Sequence, residues 1–297
     1  MDARVGVIGL GIMGSAYAGH LIDAGFHTSG FDVLAESLGR FEARGGKAAG
    51  SPQELAQECD VILTALASTE ALEAAFFGSD GVAAGARSGT VVIEAGTFGL
   101  DVKERVRAGM AAVGVAVLDA PVSGTGSQAQ ARDLTLFASG ERTAFNAVLP
   151  VLEAYARDVR YVGDFGNGSK LKYIANLLVT IHNLSTAEAV VLAQKSGIDP
   201  SMMLDVLGDS AASSRMLTVR GPMMVQGCYE PATMKLDVYQ KDIDIIAAFA
   251  KSVDCPTPLF THSAPFYAAA LAEGRSKQDT AAIASILKAM AGLPADP

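Results

Sequence analysis

Val5-Gly-Val-Ile-Gly-Leu-Gly-Ile-Met-Gly14 is a short β-branched run that breaks directly into three glycines, Gly9, Gly11 and Gly14. In such a stretch the first glycine permits a tight turn. The second lets backbone N–H groups approach a pyrophosphate, and the third allows close helix–strand packing. The N-terminus of the helix that follows adds positive potential. A lone G-x-G-x-x-G is weak, but its surroundings here are specific. A strand is predicted over 4–8, an amphipathic helix over about 12–24, and a second strand ends at Phe31-Asp32. This order makes the stretch a dinucleotide-binding fingerprint, with Gly9, Gly11, Ile12, Met13 and Gly14 as its cradle. A glycine-rich turn without a ligand is the competing reading, and the strand–turn–helix order speaks against it.

Cofactor choice turns on the end of the second strand. A carboxylate there accepts hydrogen bonds from the ribose hydroxyls and repels a 2′-phosphate. Asp32 occupies that place, followed by Val33-Leu34-Ala35, and the nearest downstream arginine is Arg40. NAD is therefore expected over NADP. The competing reading of Asp32 is an ordinary strand-end turn residue.

Beyond Asp32, strand and helix patterns alternate. Asp60–Leu66, Thr90–Glu94, Val115–Asp119, Leu134–Ala138 and Val159–Val162 are short and mostly apolar throughout, as strands covered on both faces of a parallel sheet read. Helices over 52–58 and 100–113 serve as crossovers. From Gly168 onward the pattern is helical only, interrupted at Gly197-Ile-Asp-Pro200, Gly227-Cys-Tyr-Glu-Pro231 and Cys255-Pro-Thr-Pro258. The expected fold class is α/β: a Rossmann-type doubly wound sheet over 1–164, joined by a long helix to an all-helical domain over 165–297, to which the family resemblance given below assigns substrate binding and dimerisation. Ser169 is a candidate cap for the connecting helix.

Composition narrows the function. The 297 residues suffice for a sizeable core. A net charge of −9 without a basic patch opposes nucleic-acid binding. Cys59, Cys228 and Cys255 are odd in number and scattered, as are the four histidines, so neither a disulfide framework nor a metal site is expected. The charge-free stretch Tyr173–Ala187 is broken by Asn176, Thr180, His182 and Asn183, and falls short of the ~20 predominantly apolar residues a bilayer needs. The start Met-Asp-Ala-Arg runs straight into a strand without a leader pattern. A cytoplasmic protein with no membrane partner is expected.

The second informative stretch is Gly166-Asn-Gly-Ser-Lys-Leu-Lys-Tyr-Ile-Ala-Asn176, a glycine-punctuated turn entering an apolar helix. Lys172 and Asn176 share one helical face. At ~100° per residue, Asn183 returns to within roughly 20° of Lys172, with Thr180 at the edge of the stripe. Oxidising a hydroxyl by hydride transfer requires a base for its proton. Without a metal, a lysine whose pKa is lowered by partial burial is a suitable one. Lys170, whose partner one turn on is Ile174, reads instead as a solvated first-turn lysine.

With these pieces placed, the chain resembles the β-hydroxyacid dehydrogenase family, which takes in 3-hydroxyisobutyrate dehydrogenase, tartronate semialdehyde reductase and threonate dehydrogenases. The likeness covers nearly the whole length and rests on four motifs in order. These are Gly9-Leu-Gly-Ile-Met-Gly14, Asp119-Ala-Pro-Val-Ser-Gly124, Gly166-x-Gly-x-x-x-Lys172-x-x-x-Asn176, and Lys241-Asp242. The resemblance implies NAD-dependent oxidation, or the reverse reduction, of a small 3-hydroxy carboxylic acid. It makes Lys172 the proton-transfer residue, with Asn176 positioning the substrate. Ser123 and Gly124 then hold the substrate carboxylate, a task suited to a loop of exposed N–H groups and a hydroxyl. Thr125 and Asn183 are further substrate-site candidates, and Leu66, Thr97 and Lys241 join the cofactor site. A homodimer or homotetramer is implied as well.

Three departures bear on the substrate: Ala67 after Leu66 where the family has proline, Gly96 where serine is common, and Thr125 where a second glycine is usual. Thr125 would narrow or repolarise the carboxylate pocket. His182 and the run Ser214–Pro222 resemble the threonate-type branch. Arg215 is a candidate second cation for an anionic or polyhydroxy substrate end, against the plainer reading of a solvated helix arginine. Two alternatives remain: imine reductases, which share the architecture but usually lack a lysine at this place, and a catalytically silent cofactor-binding module.

Overall fold

The structure, a computed structural model, describes residues 3–294 and 296. The chain forms two compact units, 1–172 and 173–297.

In the first unit, strands β1 (Arg4–Ile8), β2 (His27–Phe31), β3 (Lys47–Ala48), β4 (Val61–Thr64), β5 (Val91–Glu94) and β6 (Ala116–Asp119) make one six-stranded sheet in the order β3-β2-β1-β4-β5-β6. Every pairing in it is parallel. Parallel strands need crossovers, and helices such as Ile12–Asp23, Pro52–Glu58 and Leu100–Ala111 supply them. Alternate residues of one strand enter different clusters: Val5 and Val7 pack with Tyr17, Leu21 and Leu63, whereas Ile8 packs with Leu55, Ile62 and Phe76. Both faces of the central strands β1, β4 and β5 are therefore buried, and they read as nearly unbroken apolar runs for that reason. Local signals fix the helix starts. Ser51 accepts from the Glu54 N–H at 3.1 Å with Pro52 in the first turn, and Ser68 accepts from the Ala71 N–H at 3.2 Å.

Two predicted strands belong elsewhere. β8 (Thr135–Ala138) and β9 (Asp158–Tyr161) pair in parallel in a separate three-stranded sheet, where β7 (Val122–Ser123) runs antiparallel to β8. Pro121, which has no N–H to give a ladder, ends β6, and the chain then reverses so that Ser139 bridges Asp119 in antiparallel fashion. β3, two residues on the sheet edge, is too short to leave a sequence pattern.

The second unit is helical: no strand occurs among its described residues. The helix Asn167–Ser196 runs on into it from the first unit, followed by Pro200–Gly208, Arg215–Gln226, Leu236–Ser252, Pro258–Ala272 and Ile283–Met290. Asp199 caps one of these with Pro200 behind it. Ser214 caps another, which ends at Gly227 in the left-handed region, φ +67°. The long helix has the length and composition to cross a bilayer. However, its polar residues Asn176, Thr180, Asn183 and Thr186 are all buried and hydrogen-bonded, which marks it as a core helix.

Candidate active site

The strand registers align a row across the sheet: Phe31 beside Ile8, Ile8 beside Thr64, Thr64 beside Glu94 and Glu94 beside Asp119. The residues just past that row are Gly9, Asp32, Ala65, Ala95 and Ala120, so the fingerprint, Asp32, Leu66, Thr97 and the Ser123 loop all leave the same carboxyl edge. The strand order reverses between β1 and β4, and a crevice at such a point is where open α/β sheets take ligands.

The three glycines do different jobs. Gly9 has φ +89° and its N–H donates to the Phe31 carbonyl at 2.9 Å. A Cβ on Gly14 would lie 1.8 Å from the Gly9 carbonyl oxygen, an impossible overlap between two backbones. A Cβ on Gly11 would meet nothing within 4 Å, and the helix that starts behind it has no side-chain cap. The space beside Gly11 is thus clear and the first-turn N–H groups have no intrahelical partner, an arrangement that fits a pyrophosphate. Asp32 ties the edge together, accepting from the Leu10 N–H at 2.7 Å through Oδ2 and from the Leu34 N–H at 2.9 Å through Oδ1. A carboxylate retains further lone pairs for ribose hydroxyls. Val33 and Leu34 beside it are exposed. Leu66 and Thr97 are half-buried, and the Leu66 side chain flanks Gly9.

Ser123 is half-buried at the end of β7, and Gly124 follows with φ +145°. Thr125 is the N-cap of the short helix Gly126–Gln130. Its N–H donates to Gln128 Oε1 at 3.1 Å, its hydroxyl accepts from the Gln128 N–H at 3.5 Å, and that hydroxyl also lies 2.9 Å from Ser127 Oγ. The extra side chain that departs from the family pattern is therefore engaged as a cap.

Beneath this edge lies a buried ionic cluster that sequence reading missed. Lys103 Nζ is 2.6 Å from Glu94 Oε2 and 2.7 Å from Asp119 Oδ1, all three residues being at most 1 % exposed. Burial drives the Glu94 carboxyl upward against the pull of Lys103. Burial alone would lower the Lys103 pKa, but Asp119 and then Glu94 hold it above its ordinary value. Asp119 Oδ2 accepts from the Ser169 N–H at 2.7 Å and Oδ1 accepts from the Ser169 hydroxyl at 2.8 Å. Ser169 is thus inside the first turn of the long helix, bonded to a strand end, rather than its cap. Lys172, half-buried, comes three residues later. Lys170 is exposed, within 3.3 Å of Asn167 Oδ1.

In the helical unit Asn176 is 6 % exposed and donates through Nδ2 to Asp242 Oδ2 at 2.9 Å, and its carbonyl accepts from Thr180 and Tyr239 hydroxyls at 2.8 and 3.0 Å. Lys241 Nζ lies 3.7 Å from Asp242 Oδ1, so of the Lys241-Asp242 motif it is Asp242 that bonds Asn176 directly. Asn183 has other direct partners. It is fully buried, and its amide donates to the Tyr267 hydroxyl and the Thr280 carbonyl at 3.1 and 2.8 Å. Arg215 is exposed at the start of its helix. One turn on, the unpredicted Arg220 is buried and pairs with Asp279 Oδ1 at 2.9 Å. Among the described residues no cluster of three or more His, Cys, Asp or Glu side chains is placed to hold a metal.

Fold and edge together define a dinucleotide-binding α/β protein with a helical second unit. Comparison with known proteins resolves the family. Residues 4–163 match the family model of the NAD binding domain of 6-phosphogluconate dehydrogenase. Residues 166–287 match that of the NAD-binding domain of NADP-dependent 3-hydroxyisobutyrate dehydrogenase. The chain is 35 % identical to the L-threonate dehydrogenase of Cupriavidus necator over 96 % of both proteins. It is 31 % identical to the 3-sulfolactaldehyde reductase of Escherichia coli K12, over 99 % of this chain and 98 % of the other. The crystal structure of 3-hydroxyisobutyrate dehydrogenase from Salmonella typhimurium superposes with a TM-score of 0.86 at 32 % identity, covering 96 % of this chain and all of that one. The chain belongs to the β-hydroxyacid dehydrogenase family of NAD(P)-dependent oxidoreductases.

Proposed function

We propose that the protein oxidises a small 3-hydroxy carboxylic acid of the threonate type, using NAD and a lysine base. The observation that carries this reading is the bond pair from Ser169 to Asp119. It fastens the turn that bears Lys172 to the strand end from which the Ser123 loop departs. A base and a carboxylate-binding loop anchored to one strand end are what a hydroxy acid requires.

In this reading residues 1–164 bind the cofactor and 165–297 complete the substrate site and the oligomer. The first-turn N–H groups behind Gly11, with Ile12 and Met13, would hold the pyrophosphate. Asp32 would take the adenosine ribose and disfavour a 2′-phosphate, while Leu66, Thr97 and Lys241 would line the nicotinamide half. A bound nicotinamide supplies the hydride acceptor. The Ser123 hydroxyl and the Gly124 N–H fix the substrate carboxylate, and Asn176, itself oriented by Asp242, fixes the hydroxyl. Neutral Lys172 takes the hydroxyl proton as the hydride leaves the same carbon, so the products are the carbonyl compound, reduced cofactor and one proton. Asn183 then acts as a support within the helical unit, and Thr125 as the cap that shapes the carboxylate loop. Exposed Leu171, Ile174, Leu178 and Leu192 repeat on one face of the long helix, which supports association of copies into a cytoplasmic homodimer or homotetramer.

The test is a panel of L-threonate, 3-hydroxyisobutyrate, glycerate, 3-hydroxypropionate and sulfonated analogues, followed by absorbance of reduced cofactor with NAD and NADP. The expected result is turnover with NAD, reduced about 10²–10⁴-fold in kcat by Lys172→Ala. Equal turnover in the variant would remove the lysine from the mechanism.

A further inference from the structure

Glu94 and Asp119 are register partners on adjacent parallel strands, and both side chains are buried. Like charges side by side in a dry interior repel strongly. The fold accommodates them because Lys103, reaching in from the helix Leu100–Ala111, lies within 2.7 Å of an oxygen of each. A well-packed apolar set of similar volume is often at least as stable as such a triad, so the charges are better explained by what they hold. Glu94 Oε1 accepts from the Gly96 N–H at 2.7 Å, and Thr97 comes next. Asp119 takes two hydrogen bonds from Ser169 and a third from the Ser139 hydroxyl at 3.1 Å, while the Ser139 hydroxyl in turn accepts from the Gly168 N–H at 3.0 Å. A Cβ on Gly168 would sit 2.8 Å from the Asp119 carbonyl oxygen, so the helix start is pressed against this strand end. Its N-terminal dipole also favours the carboxylate there.

We propose that Lys103 is a positioning residue for the reaction: through Glu94 it sets the Thr97 segment, and through Asp119 it sets the Ser123 loop and the first turn of the Lys172 helix. The inference rests on the catalytic reading of Lys172, Ser123 and Thr97 given above. Its chemical content is that one ammonium keeps three segments in mutual register, and that loss of this register costs turnover rather than cofactor affinity.

The experiment compares Lys103→Met, Glu94→Gln/Lys103→Met, Val106→Ala and Lys172→Ala in the full-length protein. Each is assayed with the hydroxy acid and cofactor of highest kcat/KM in the panel, and NADH affinity is read by fluorescence. Lys103→Met leaves two buried carboxylates without their cation, and a displacement near 1 Å costs about 100-fold in kcat. KM and NADH Kd should stay within about threefold. The double variant removes the cation together with one of the two repelling charges, and should recover at least about 10-fold of the lost kcat. Val106→Ala, a core truncation one turn along the same helix, lowers the melting temperature without the loss of kcat. Should Lys103→Met not fold, Ser169→Ala carries the test, with a fall of about fivefold in kcat at unchanged NADH Kd. Activity retained in Lys172→Ala overturns the catalytic reading and this inference with it. Activity lost in Lys172→Ala but kept within threefold in the Lys103 or Ser169 variants overturns the inference alone, as does Val106→Ala matching the loss seen for Lys103→Met.

Discussion

Gly11 and Gly14 stand three residues apart in the same turn, yet alanine at the two should have opposite consequences. At Gly11 the backbone lies at φ −68° and ψ −161°, accessible to any residue, and a Cβ meets nothing within 4 Å. Alanine there restricts the unfolded chain without a clash in the folded one, worth about 0.4–1 kcal/mol in favour of the fold. At about 2–4 °C per kcal/mol for a chain of this size, the cofactor-free melting temperature should rise by roughly 1–4 °C. In the proposed reading the same methyl enters space that the pyrophosphate would take. Losing one charge-assisted hydrogen bond costs about 1.5–3 kcal/mol, or roughly 10- to 150-fold in Kd. Gly14→Ala, with its Cβ 1.8 Å from the Gly9 carbonyl oxygen, must instead displace backbone and should lower both stability and affinity. Differential scanning calorimetry without cofactor and NADH fluorescence titration read the two effects separately. A Gly11→Ala protein that binds NADH within threefold of wild type would refute the assignment of this turn to the pyrophosphate.

Asp32→Asn removes the charge while keeping the shape and one acceptor oxygen. With about 1 kcal/mol per charge pair at 4 Å in water, relief from a phosphate dianion should raise the NADP/NAD ratio of kcat/KM roughly 10- to 30-fold; an unchanged ratio would show that another group sets the preference. Arg220→Met strands buried Asp279, which also accepts from the Thr233, Met234 and Ala281 N–H groups, and should cost about 3–5 kcal/mol in urea unfolding at pH 7. Burial alone would raise the Asp279 pKa, but Arg220 and the N–H donors hold it below the ordinary carboxylate value. A depressed folded pKa means that this stabilisation is complete above the unfolded value, about 3.9, and is lost as pH falls below it. Wild type should therefore lose part of its unfolding free energy between pH 5 and pH 3. In Arg220→Met the Asp279 contribution should begin to fade at higher pH, and superimposable pH profiles for the two proteins would exclude the pair as the cause.

What the sequence made legible was whatever has a short-range signature. The strand Arg4–Ile8, the helix Pro52–Glu58 and the switch to purely helical periodicity after Gly168 follow from turn chemistry and apolar period, and the structure has them. The separate sheet of β7, β8 and β9 was not legible. The apolar run Leu134–Ala138 reads as a strand covered on both faces, but Leu136 and Ala138 are buried while Thr135 and Phe137 are only half-buried, and the run does not say which neighbour it pairs with. Pro121 marked the interruption without giving the new direction.

The same asymmetry governs the site. Glycine spacing, the Lys172–Asn176 interval and the Thr125–Gln128 capping-box spacing are all local, whereas the engagement of Asn183 by Tyr267 and Thr280 depends on partners distant in sequence. Lys103 is the instructive case. In Leu100-Asp-Val-Lys-Glu-Arg-Val-Arg it passes for one charge on a solvated face, among Asp101, Glu104, Arg105 and Arg107. Yet at three and seven residues beyond it stand Val106 and Met110, both buried, so Lys103 shares the apolar stripe of its own helix. A charge on that stripe demands a buried counter-charge. Glu94 and Asp119, both ending strands that are otherwise apolar, were the only acidic residues of β5 and β6 able to supply it. A lone charge on an apolar helical face, matched with strand-terminal carboxylates of opposite sign, is thus a pairing signal that a single sequence carries. Here it leads to the cluster that joins the cofactor edge to the turn before Lys172.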